Sequence, residues 1–306
     1  MSNALSRSHI PSILLLSFLF GSNLVVSRFA LGQFHPLGLA ALRLPVAAAL
    51  ALLWTRLGNG SFPRGSHVWI HGSVVGVFAT AVPMMTFISA LRYQSSGVTA
   101  LFITLTPISA MLFAHFRLPD DRMTARKVLG AMVSFLGVGV LLVSGETGLG
   151  ETRWEGFVLV LAGVAANGFG IVHVRKYLRE VSSLDIAAVR LTAAAVVTAL
   201  VAGLLGGYDL RRVGWSGVVA LIYGALPGTL LGFMLYSFVA ARFGPVKATQ
   251  VEYLVPVVAV AAGAIFLDEH VTLVMIVGMV TVFAGIAVAT YRSRPRLKAG
   301  DGGTPS

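Results

Sequence analysis

Ten apolar stretches follow one another along the chain, each about as long as a bilayer is thick. They fall at 10–31, 36–56, 68–91, 96–116, 126–144, 154–174, 183–205, 213–235, 247–267 and 271–291. Wound as helices at about 1.5 Å per residue, they span roughly 30 Å of hydrocarbon. Between them lie short polar turns. The third and fourth are parted only by Leu91–Ser95, so a tight turn is expected there. The first is too long for the core of a signal peptide, and nine more spans follow it. The polar, Gly- and Pro-rich segment 292–306 reads as a disordered cytoplasmic tail.

The pattern is written twice. Residues 36–53 and 183–200 are nearly the same segment, each with one arginine, Arg43 and Arg190, at the same place among apolar neighbours. Asn23 in span one has a counterpart in Asn167 of span six, and Pro107 in span four in Pro256 of span nine. Asp121-Arg-Met-Thr124 and Glu269-His-Val-Thr272 each open the next helix, where an acid suits the positive helix end and a threonine can cap. Gly130 and Gly137 match Gly278 and Gly285. The chain therefore divides into halves at 10–146 and 154–291. Five spans per half is odd, so the halves sit upside down relative to each other.

Composition narrows the class. Hydrophobic residues make up 56% of the chain and charged residues 11%, against about 25% charge in soluble domains. The bilayer is its solvent. A net charge of +11 does not point to nucleic acid, because the basic residues form no continuous patch. They sort instead by side. Arg92, Arg153, Arg211 and Arg212 fall on one face, Arg28, Arg43 and Arg190 fall within spans, and the rest of the 23 basic residues fall on the other face. The positive-inside rule makes that second face cytoplasmic, with both termini inside. There is no cysteine, hence no disulfide or thiol chemistry.

Gly21-Ser22-Asn23, the lone arginine of span two, Ala90-Leu91-Arg92-Tyr93 and Pro107 resemble the EamA repeat of the drug/metabolite transporter superfamily. So do Pro256, Phe266-Leu267-Asp268-Glu269 and Gly278. The resemblance covers about 13–291. It implies an all-α membrane protein of ten transmembrane helices in two inverted five-helix repeats, with the carboxy-terminal ends of the repeats packed together. It also implies export of amino acids, other metabolites or drugs, as in the bacterial amino-acid and metabolite exporter branch. Leu118-Pro119-Asp120-Asp121 departs from the family, which usually has a glutamate there.

Ionisable side chains inside spans cost about 2.5–3.5 kcal/mol each at mid-membrane. Arg28, Arg43 and Arg190 are candidates for structural or gating charge. Glu252 has no acidic counterpart, since Ile103 takes its place in the first half. It either pairs with Arg190 or faces a cavity, where it can bind an amine or take a proton. Asn23 and Asn167 lie mid-span and either bind substrate or tie helices together. Pro83, Pro107, Pro227 and Pro256 free backbone carbonyls and are expected to act as hinges. Phe87, Phe102, Phe233, Tyr236 and Tyr253 fall in spans three, four, eight and nine. In the family those spans, with one and six, line the central cavity, so these residues join the substrate-binding set. Gly168 and Gly170 would let span six approach its neighbours.

No phosphate loop, metal-spaced histidine pair or nucleophile elbow is found, and no cofactor or metal is expected. The expected function is secondary export of small metabolites, amino acids first and aromatic or apolar ones among them, by alternating access. The expected setting is the bacterial inner membrane, with a small-molecule substrate, lipid neighbours, and a proton or the membrane potential as driving force. A multidrug or cation exporter is the alternative within the class. A membrane-embedded lipid-modifying enzyme is the alternative outside it, and it would require acids and histidines clustered at one membrane face.

Overall fold

A computed structural model describes residues 10–59, 63–119, 123–145, 149, 153–243 and 251–290. Lipid offers the backbone no hydrogen bonds, so each apolar stretch satisfies its own as helix. The helices are α1 (Ile10–Ala30), α2 (Pro36–Asn59), α3 (Ser66–Ala90), α4 (Ser96–Arg117) and α5 (Ala125–Ser144). The second half gives α6 (Trp154–Tyr177), α7 (Ser183–Leu204), α8 (Trp215–Ala225 continuing through Gly232–Phe243), α9 (Val251–Leu267) and α10 (Leu273–Thr290). Among the described residues nine are long and apolar enough to cross a membrane, α9 is the shorter tenth, and there is no strand. The start expected for span nine, and the tail 292–306, lie outside the described residues, as do Asp120 and Asp121.

Local chemistry sets the ends. Ser95 Oγ accepts from Val98 N at 3.1 Å and caps α4. Thr124 and Thr272 do the same for α5 and α10, accepting from Lys127 N and Met275 N at 3.4 and 3.3 Å. Gly145, at φ 66, takes the left-handed turn that ends α5.

Packing follows the repeat. α2 lies along α7, and α5 along α10. α1 packs on α8 and α9, just as α6 packs on α3 and α4. Exchanging each helix for its counterpart in the other half leaves these pairings unchanged. The direction is antiparallel in every self-paired case. Gly130 faces Gly285 and Ala289 while Gly137 faces Gly278 and Thr281, and close approach there needs glycine because a Cβ would meet backbone. Gly38, opening α2, abuts Gly207 just beyond α7. Gly97 meets Val260, whereas Pro107, further along α4, shares a cavity wall with Tyr253, earlier in α9. Equivalent helices running in opposite directions make the repeats inverted. The core lies where α4, α5, α6 and α10 meet, around Leu105, Leu141, Val160 and Val282.

Three helices are irregular, each at a proline. α3 carries a wide π-type turn at Val77–Ala81, just before Pro83. α8 carries one at Leu226–Leu231 that includes Pro227. α4 breaks at Thr104–Leu105, before Pro107. Pro256 differs, since α9 runs through it unbroken. Wide turns leave backbone carbonyls short of partners.

Candidate transport pathway

The two repeat arginines are held differently: Arg190 docks on the wide turn of the opposite half, whereas Arg43 bonds to α1 of its own half and only abuts α8 just before its wide turn. Arg43, on α2, is 1% exposed. Its Nη1 donates to Asn23 Oδ1 at 3.3 Å and its Nη2 to Ser27 Oγ at 2.9 Å, both on α1. Gly224, one residue before the end of the first segment of α8, lies against the guanidinium, where any Cβ would collide with it. Asn23 Nδ2 in turn donates to Gly228 O in the α8 wide turn at 3.4 Å. Ser22 Oγ shares a 2.7 Å hydrogen bond with Tyr223 OH.

Arg190, on α7, reaches the α3 wide turn. Nε donates to Thr80 Oγ1 at 3.0 Å and Nη2 to Ala79 O at 3.1 Å. Its guanidinium carbon stands 4.7 Å from the Phe233 ring centroid. The side chain is only half-buried, and Nη1 has no protein partner among the described residues. Arg190 makes no ion pair with Glu252. The pairing weighed from the sequence is absent; the Thr80 hydroxyl and the Ala79 carbonyl of α3 take two of the three guanidinium nitrogens instead.

Glu252 is left to itself. Its Oε2 is buried and finds no hydrogen-bond partner among the described residues. It walls a cavity of about 40 Å³ with Pro107, Tyr253, Ile286 and Thr290. Tyr236 lies within electrostatic reach of both Arg190 and Glu252. A second cavity, of about 300 Å³, opens between α2, α7 and α8. Leu191, Leu230, Phe233 and Met234 line it together with Ala51 and Trp54. Phe233 thus fronts that cavity on one side and covers Arg190 on the other.

At the opposite end the helices are tied shut. Arg28 Nε pairs with Glu269 Oε1 at 3.1 Å, and Arg28 Nη1 donates to Leu91 O. Glu269, 8% exposed, also accepts from Ser96 N at 2.9 and 3.1 Å and from Ser96 Oγ at 2.6 Å. The Arg28–Glu269 pair therefore joins the ends of α1, α3, α4 and α9. This corrects the sequence reading of Glu269 as the opener of the last helix. Thr272 caps α10, and Glu269 turns back to the positive amino end of α4.

The remaining expected residues divide. Phe87 is half-buried and stands against Gly163 of α6. Asn167 is half-buried beside the close contact of Gly168 with Ser109, and makes no hydrogen bond among the described residues. Phe20 and Phe233 meet edge to face at 6.1 Å. Tyr253 meets Phe283 the same way at 5.6 Å. Phe102 is different. It is 0% exposed and stacked on Phe157 at 5.3 Å, so it packs the core behind the wall. Sequence reasoning passed over Ser27, Thr80, Ser96 and Tyr223, which become partners only through packing. It also passed over a cluster of rings at the other end of α3 and α6, where His71 Nδ1 lies 3.0 Å from His173 Nε2. Among the described residues no three acids or histidines converge as a metal site.

Residues 8–143 and 154–291 each match the profile of the EamA-like transporter family. The chain belongs to that family. It is an integral membrane transporter built from two EamA repeats. It is 23% identical over 297 residues to the uncharacterized transporter YvbV of Bacillus subtilis (strain 168), covering 94% of each chain. It is 23% identical over 295 residues to a probable amino-acid metabolite efflux pump of Salmonella typhimurium (strain LT2), covering 94% of this chain and 96% of that one. To the protein of the same description in Escherichia coli (strain K12) it is 22% identical over 307 residues, covering 97% and 100%. A solved crystal structure superposes with a TM-score of 0.64 at 22% identity, over 95% of this chain and 99% of that one, which establishes the likeness of fold.

Proposed function

We propose that this EamA-like protein exports small zwitterions, amino acids with aromatic or apolar side chains foremost, by alternating access. The observation that carries this reading is the placing of opposite charges around Tyr236. Arg190 offers a free Nη1 beneath Phe233, and Glu252 offers an unpartnered carboxylate oxygen. A carboxylate suits the first, an ammonium suits the second, and Phe233 with Phe20 supplies apolar surface for a side chain. Asn167 and Phe87 extend the wall on α6 and α3. The description of two relatives as probable amino-acid metabolite efflux pumps supports the same substrate class.

The basic-residue bias supports an orientation in the bacterial inner membrane with both termini cytoplasmic. The Arg28–Glu269–Ser96 tie then closes the periplasmic end, and the cavity between α2, α7 and α8 lies toward the cytoplasm. Pro83, Pro107 and Pro227 sit where helices are already broken, so hinge motion there costs few backbone hydrogen bonds. With no nucleotide site in the sequence, a proton or the membrane potential supplies the drive.

Glu252 favours a second reading, export of cationic drugs, since a buried acid among aromatic rings also suits a lone cation. Counterflow in proteoliposomes separates the two. Labelled phenylalanine or leucine should exchange, and Arg190→Gln and Glu252→Gln should each abolish the exchange while the protein stays folded. Exchange of ethidium but of no amino acid, indifferent to Arg190→Gln, would establish the cation reading instead.

A further inference from the structure

The cavity of about 300 Å³ between α2, α7 and α8 differs in chemistry from the charged wall beside it. Phe233, Met234 and Phe238 of α8 wall it with Leu184, Ala187 and Leu191 of α7. Among the described residues on that wall, Ser183 alone carries a hydroxyl and none carries a charge. Trp54 and Phe238 are 54% and 49% exposed, so the cleft is open along its edges. From Ser183 to Leu191 it runs roughly 12 Å along α7. Leu191 is the ninth residue of a 22-residue helix, so the cleft stays within one leaflet. On the orientation proposed above, that leaflet is the cytoplasmic one. Phe233 closes the inner end, and its ring meets the Arg190 guanidinium behind it.

In a membrane something fills such a cleft. Water does not suit it, because a buried water needs several polar partners. An empty cleft forfeits dispersion contacts along its whole wall. Hydrocarbon satisfies the wall, and at this depth the neighbouring hydrocarbon is an acyl chain. The mouth adds charge. Arg242, one turn beyond Phe238 on α8, is exposed and lies over the Phe238 ring at 6.0 Å. Arg56, two residues beyond Trp54 on α2, is exposed as well. The amino end of α7 opens at the mouth, and Ser182 gives it no side-chain cap. Its helix dipole favours an anion there. Asp185, in the first turn of α7, is not on the cleft wall.

We propose that this cleft is a binding site for an anionic phospholipid of the cytoplasmic leaflet. One acyl chain lies between α7 and α8 against Phe233, and the phosphate rests beside Arg242. A zwitterionic lipid offers the same chain but no net charge for Arg242, so the headgroup decides the preference. The chain backs the Phe233 ring against Arg190, which links lipid occupancy to the exposure of that guanidinium.

Trp54, on the cleft edge, is a built-in reporter of lipid contact. Trp69→Phe, Trp154→Phe and Trp215→Phe leave it as the single tryptophan of the full chain. In liposomes, phosphatidylglycerol with brominated acyl chains should quench it about fivefold more effectively than brominated phosphatidylcholine at equal mole fraction, as one arginine at the headgroup level implies. A chain keeping only Trp215, which is 79% exposed and off the cleft, should respond alike to both lipids. Ala187→Phe fills the cleft and should abolish the preference at Trp54. Should that variant fail to fold, Ser183→Phe at the exposed mouth carries the same expectation. Arg242→Gln should remove the preference and keep the quenching. Equal quenching of Trp54 by the two lipids overturns the inference, and so does a preference that outlasts Ala187→Phe. Quenching by aqueous acrylamide but by neither lipid makes the cleft a water-filled vestibule. Shielding from acrylamide and lipid alike means that a second copy of the chain covers it. Either result overturns the lipid site. No substrate is needed, so lipid binding is read apart from transport.

Discussion

Arg43 and Arg190 occupy the same place in the two repeats, yet they are used differently. Arg43 is sealed. Asn23, Ser27 and the bare backbone at Gly224 surround it. Arg190 holds Thr80 and Ala79 O with part of its guanidinium and leaves the rest reachable beneath Phe233. Inverted symmetry placed both charges on the contact between halves. On the proposed reading, their neighbours make one a structural rivet and leave the other to bind substrate. What differs is the helix in front. α1 presents Asn23 and Ser27 to Arg43, whereas on the other side Asn167 of α6 makes no bond to Arg190.

The comparison is broken most directly at Arg43. Arg43→Gln removes two charge-assisted hydrogen bonds in a dry site and should lower stability by about 3 kcal/mol, read as a fall in the thermal midpoint of the detergent-solubilised protein. Arg43→Lys should not restore it, because one ammonium cannot span the fork between Asn23 and Ser27. Unchanged stability in both variants would show that the sealed arginine is no rivet. Next in size is the loss of exchange. Arg190→Gln and Glu252→Gln should each lower substrate exchange by at least about tenfold, a cost near 1.4 kcal/mol, with a smaller fall in the thermal midpoint than Arg43→Gln gives.

Smaller again is Thr80→Val, which takes one acceptor from Arg190 but leaves Ala79 O. It should cost about 1 kcal/mol of stability, measured by the same thermal scan, and raise the substrate concentration needed for half-maximal exchange. The least effect concerns coupling. Arg190 and Glu252 share no bond, so the stability losses of their Gln variants should add to within about 0.5 kcal/mol in a double-mutant cycle. A larger mutual rescue means that the two charges pair, and Arg190 then belongs with Arg43 as structure.

Much of the fold was legible because a helix in lipid satisfies its own backbone. The apolar stretch that became α7, Ser183–Leu204, needs no partner to declare itself, and neither does Pro36–Asn59. The duplicate arginines and paired glycines announced two halves, and Gly130 against Gly285 carried that pairing into direct contact. Prolines marked irregular places at Pro83, Pro107 and Pro227, since a missing N–H is a local fact. Pro256 interrupts nothing, since α9 runs through it as one continuous helix.

The sequence by itself therefore determined the spans, the repeat, their inverted directions and which charges lie within the spans. Only the tertiary structure decided whom those charges meet. Glu269 reads as a helix opener until it is found holding Ser96, 173 positions away, together with Arg28. His71 and His173, 102 positions apart, say nothing in the sequence until packing brings their ring nitrogens within 3.0 Å. Periodicity and hydropathy are properties of neighbours along the chain. A partner for a buried charge comes from whichever helix the packing brings alongside, and several placements of that helix bury the same apolar area.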